Sequence, residues 1–160
     1  MNLTTAAAAL ALATIVTPVA HSQTTSLAGA WKATEVVITG PGGRSITNLQ
    51  NLTLFTAKYF ARVEDRAEGP RSLLADPATA TADDLRAAWG PFFAEAGTYE
   101  IAGGELTMRP TVSKNAAAMN GSAYTVYALT LTGNTVTLTA KRNQAGPLPN
   151  PATIKATRIE

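Results

Sequence analysis

Two dipeptides constrain this chain more than any other feature. Gly103-Gly104 stands between runs 98–102 and 105–112, and Gly133-Asn134 between runs 124–132 and 135–142. The flanking runs are rich in β-branched and aromatic residues. A two-residue loop that tolerates positive φ joins such runs as an antiparallel hairpin. Two hairpins in succession, with no long crossover between them, predict a meander that closes on itself rather than a sandwich.

The rest of the chain fits that pattern. Residues 31–39 read as a strand that must stop at Gly40-Pro41-Gly42-Gly43. Residues 46–56 read as a strand with a break near Asn51, and 59–65 and 153–159 as two more. One helix interrupts the series. Thr81-Ala82-Asp83-Asp84 has the hydroxyl-then-acid spacing of a capping box, and both acids sit where the helix dipole favours them. Leu85, Ala88, Trp89 and Phe92 follow at helical spacing. Pro91 kinks or ends the helix, and Phe92 and Phe93 then form an apolar cap. Residues 114–120 read as a helical turn and 146–151 as a proline-rich loop. The predicted fold is all-β: an eight- to nine-stranded antiparallel up-and-down barrel with one inserted helix.

The first residues predict an address. Residues 6–20 are apolar and uncharged, and Ala20-His21-Ser22 puts small residues at −3 and −1 of a cut before Gln23. That is the pattern of a secretory signal over 1–22. The run is shorter than the ~20 residues a spanning helix needs, so no membrane span is expected after cleavage. The domain is then 23–160, located in the periplasm or outside the cell.

Composition narrows the chemistry. The chain has no Cys and a single His, His21, which leaves with the signal. The mature domain therefore lacks the residues for a Ser-His-Asp triad, a Cys nucleophile, ordinary structural zinc or His-ligated haem. No cofactor and no metal site is expected. A net charge of +2 with no clustered Lys or Arg gives no electrostatic footprint for nucleic acid.

An eight-stranded barrel is just wide enough to fill its interior or hold one small ligand. Alternation points Phe60 and Arg62 to one face, and likewise Tyr99, Met108 and Tyr127. Arg62 stands out, because an inward guanidinium requires an anion from the protein or from a ligand. Trp89 and Phe92 on the inserted segment are placed either over the mouth or on the outer wall. The pocket candidates are thus Phe60, Arg62, Trp89, Phe92, Tyr99, Met108 and Tyr127, with no catalytic residue assigned.

Several segments resemble a known family: 27–32 with its Gly29-Ala30-Trp31, 58–62, 94–100, 104–107, 131–138 and the terminal Thr157-Arg158-Ile159-Glu160. Together they are similar to the bacterial lipocalin-like domain, a calycin-type barrel, over nearly all of 27–160. The resemblance implies a barrel with a cavity and no agreed activity. Within it, Trp31 on the first strand would plug one end. Arg158 on the last strand would stack on its ring, and Gly29 would let the chain pass close beneath.

Two function classes follow. One is an exported barrel that binds a small apolar or amphipathic molecule. The alternative is a metal-independent isomerase, cyclase or hydrolase using carboxylate, Tyr or Arg, or else an envelope protein-interaction module.

Overall fold

The computed structural model describes residues 26–47, 49–67, 69–71 and 73–160. The expected signal segment lies outside them. The strands are β1 (Gly29–Ile38), β2 (Arg44–Ile46), β3 (Gln50–Phe55), β4 (Tyr59–Asp65), β5 (Phe92–Ala102), β6 (Glu105–Ser113), β7 (Thr125–Thr132), β8 (Thr135–Asn143), β9 (Gly146–Pro147) and β10 (Ala152–Arg158). Helix α1 spans Ala82–Trp89, and a 3₁₀ turn spans Ala116–Met119.

Eight of the strands close a barrel in the order β10-β1-β3-β4-β5-β6-β7-β8, with β8 pairing back onto β10. All pairings are antiparallel. The two remaining strands are short: β2 lies against the upper part of β1, and β9 against the end of β8. The strand expected over 46–56 is divided, but not near Asn51: β2 ends at Ile46 and β3 begins at Gln50, so Asn51 lies within β3. Phe92 and Phe93 do not cap the helix as expected. They begin β5, where Phe92 pairs with Asp65 and Phe93 with Glu64. Pairing with a neighbouring strand decides the conformation of this stretch, and Gly90-Pro91 has already ended the helix.

Bulges bend the wall. Thr34 is an extra residue between Ala33↔Ala156 and Glu35↔Lys155, Thr111 between Val112↔Ala96 and Pro110↔Gly97, and Lys141 between Arg142↔Val126 and Ala140↔Tyr127. An added residue flips the inward parity of everything beyond it. In β1 the inward residues are therefore Trp31 and Ala33, then Val36 and Ile38.

The two ends differ. One carries the tight turns at Gly103-Gly104 and Gly133-Asn134 together with both ends of the folded chain, since the Ala30 amide donates to the Glu160 carbonyl. It is packed solid by Leu27, Trp31, Phe55, Phe60, Leu106, Met108, Val136 and Leu138. The other end carries the long connections, including the one that holds α1. The capping box of α1 is present, with Thr81 and Asp84 bonded reciprocally. Lys114 ties down the far end of the helix by donating to the Trp89, Gly90 and Phe92 carbonyls. No helix among the described residues is long and apolar enough to cross a membrane.

Candidate functional site

Trp31, Arg158 and Gly29 meet at the closed end of the barrel. Trp31 is fully buried and donates its indole N–H to the Leu27 carbonyl at 2.8 Å. It lies directly across from Arg158 in the β1–β10 ladder. The guanidinium carbon sits 4.3 Å from the ring centroid, and the same group donates to the Ala28 and Ser26 carbonyls. Gly29 has φ +135°, and a Cβ there would stand 2.4 Å from the Glu160 carbonyl oxygen. Glycine is required at this position by both conformation and space.

Above the packed end the barrel opens into a cavity of about 680 Å³, within the range of small-molecule sites. Its lining divides largely into two walls, with Arg44, Ser45 and Ile46 of β2 beside β1. Ala33, Val36, Ile38, Ala140, Ala152 and Ile154, from the contiguous strands β1, β10 and β8, form an apolar wall. Gln50, Asn51, Arg62 and Glu64, from the adjacent β3 and β4, form the polar wall. Tyr127 of β7 also lines the cavity.

Asn51 closes the wall where two strands part. Backbone pairing between β1 and β3 ends at Trp31↔Thr53. One step higher, the Asn51 side chain takes the place of a strand. Its Oδ1 accepts from the Ala33 amide at 2.7 Å, and its Nδ2 donates to the Ala33 carbonyl at 3.0 Å.

Arg62 faces inward, and the protein itself supplies its anion. Nε and Nη2 both reach Glu95 Oε1, at 2.9 and 2.8 Å. Glu64 Oε1 stands 3.6 Å from Nη1. Burial alone would lower the Arg62 pKa. The Tyr127 hydroxyl and the Glu64 and Glu95 carboxylates outweigh that and raise it. The network continues to the rim. Arg66 holds Glu64 at 2.7 Å, and Arg71 holds Asp65 at 2.6 Å. Both Arg62 and Arg66 stack on the Phe93 ring, at 4.8 and 3.8 Å.

The other sequence candidates lie elsewhere. Phe60 and Met108 are in the packed core beneath the cavity. Tyr99 is at the closed end, edge-on to Phe55, with its hydroxyl donating to the Thr56 carbonyl at 2.6 Å; partial burial raises its pKa. Trp89 is half exposed on α1, edge-on to Phe92, and Arg71 stacks on Phe92. No α1 residue lines the cavity. The structure thus brings Arg62 and Tyr127 together at the cavity, with Tyr127 also packed in the core cluster that holds Phe60 and Met108.

Sequence reasoning missed Glu95 and the apolar wall. Glu95 has the parity of Tyr99, so carrying that strand back to Phe92 would have found it. The apolar wall was hidden by alanines, which carry little hydrophobic signal, and by the bulge at Thr34. Among the described residues no group of three or more His, Cys, Asp and Glu could hold a metal ion.

No family model matches this chain, and no curated protein matches it. The crystal structure of an uncharacterized protein from Bacteroides eggerthii is similar over 82% of this chain and 99% of that one, at 10% identity and a TM-score of 0.45. A likeness that distant decides neither fold detail nor function.

Proposed function

We propose that this chain is an exported lipocalin-like barrel that holds one small amphipathic molecule in the cavity at its open end. The observation that carries the reading is the two-sided cavity. A void of about 680 Å³ above a solid plug has room for on the order of 20 non-hydrogen atoms, at about 30 Å³ for each water-sized group. The β1, β10 and β8 wall suits an apolar body. The β3 and β4 wall suits a hydrogen-bonding head. The address rests on the apolar run 6–20 and the Ala20-His21-Ser22 site; N-terminal sequencing of protein recovered outside the cytoplasm should begin at Gln23.

The test is uptake of N-phenyl-1-naphthylamine, a neutral probe that fluoresces in apolar surroundings. Saturable binding at one site per chain is expected, unchanged by a chelator. Ala152→Trp, which projects a ring into the cavity from β10, should weaken it at least about tenfold, the equivalent of ~1.4 kcal/mol. Absence of saturable uptake would refute the reading.

One observation favours an enzyme instead. Glu64, Arg62 and Tyr127 line the same cavity, and a carboxylate and a phenol facing one bound molecule could serve as acid and base. Each carboxylate of the network is engaged by an arginine, which favours binding over catalysis. Recovery of bound molecules chemically altered by the wild type and unaltered by Glu64→Gln would establish the enzyme.

A further inference from the structure

We infer that Glu95 sets the charge selectivity of the cavity: by neutralising Arg62 from inside, it makes the site one for neutral amphipaths and excludes carboxylates. The inference rests on the binding reading and narrows it. An inward arginine in an otherwise apolar barrel is a ready partner for a ligand carboxylate. Here that position is already taken. Glu95 Oε1 accepts from both Nε and Nη2, and Glu95 is slightly more buried than Arg62, with side-chain exposures of 9% and 13%. A pair so enclosed is not loosened by solvent screening as surface pairs are.

Around Arg62 the charges balance: Arg62, Arg66 and Arg71 face the carboxylates Glu64, Asp65 and Glu95, one for one, while Arg44 of β2 lines the cavity apart from these pairs. An incoming carboxylate would have to displace Glu95 and leave it buried and unpaired, which costs more than the new pair returns. A neutral oxygen meets no such obstacle. A guanidinium has five N–H donors. Glu95 and the Tyr127 side chain take part of that capacity, and Nη1 lies 3.6 Å from Glu64, beyond hydrogen-bonding distance, so the guanidinium retains a donor for a hydroxyl or carbonyl oxygen. The ligand class is therefore an apolar chain or ring system with an uncharged oxygen at one end, its body against Val36, Ile38, Ala152 and Ile154.

The experiment is competition against bound N-phenyl-1-naphthylamine by decanol, decanoate and decylammonium, which share one chain and differ in head charge. Wild type is expected to prefer decanol to both ions. Glu95→Gln frees the Arg62 charge, and the affinity for decanoate relative to decanol should rise about tenfold, the scale of one charge-assisted hydrogen bond. The double variant Arg62→Gln with Glu95→Gln should return to the wild-type order. If wild type itself prefers decanoate, or if Glu95→Gln folds and leaves the ratio unchanged, the assignment fails while the cavity reading survives. If the probe does not bind at all, the cavity reading fails first. The wild-type ranking needs no variant, so the assignment can be overturned even if Glu95→Gln does not fold.

Discussion

At the scale of single residues, Arg158 is the clearest case of a charged side chain with fixed partners. Arg158 does two jobs at once: its plane covers the Trp31 ring, and its N–H groups hold the segment that leads into β1. Trp31→Ala should cost about 3–5 kcal/mol, the usual range for a large buried aromatic. Arg158→Ala should cost on the order of 1 kcal/mol. Because the two groups touch, the double variant should cost less than the sum of the singles by at least ~0.5 kcal/mol. Chemical denaturation of the four proteins measures this, and additivity would mean that the stacking contributes nothing. The pair was legible in the sequence because it needs only the ends of the chain to meet. Glu95 was not, because its partner comes from a neighbouring strand whose register no single segment reveals.

At the scale of elements, hairpins were the easiest to read and bulges the hardest. Gly103-Gly104 and Gly133-Asn134 announce their turns, and the capping box at Thr81 announces the helix. In β4 the plain alternation of Phe60 and Arg62 puts both inside. In β1 the same rule fails after Thr34, since one extra residue turns Val36 and Ile38 inward, and nothing local marks a bulge. Asn51 is a third kind of case. In the sequence it reads as a break, and in the fold it replaces a strand partner for Ala33. Asn51→Ala removes both bonds and should cost about 1–2 kcal/mol. The loss should be local: hydrogen exchange at the Ala33 amide should speed up markedly, while amides of β6 to β8 keep their protection. Equal loss of protection across all strands would show that Asn51 supports the whole barrel rather than one seam.

At the scale of the molecule, closure depends on β10, which is paired on both sides, to β1 and to β8. Deleting 152–160 exposes two strand edges at once, and exposed edges recruit other chains. The truncated protein is expected to aggregate, or at best to populate an open sheet without probe uptake; light scattering and probe fluorescence distinguish the outcomes. A truncated chain that remained monomeric and still bound the probe would mean that closure is not needed for the cavity. Closure also pairs residues more than a hundred positions apart, so refolding should be slow, in milliseconds to seconds, as for other non-local β topologies.

The joining of Ala30 to Glu160 at the plugged end has an orientational consequence. Ser26 and Glu160 both leave from the side opposite the cavity mouth. A chain held by either end, as by a tag on a sensor chip, would stand with its opening toward the solution. Attachment and loading then do not compete for the same face of the protein.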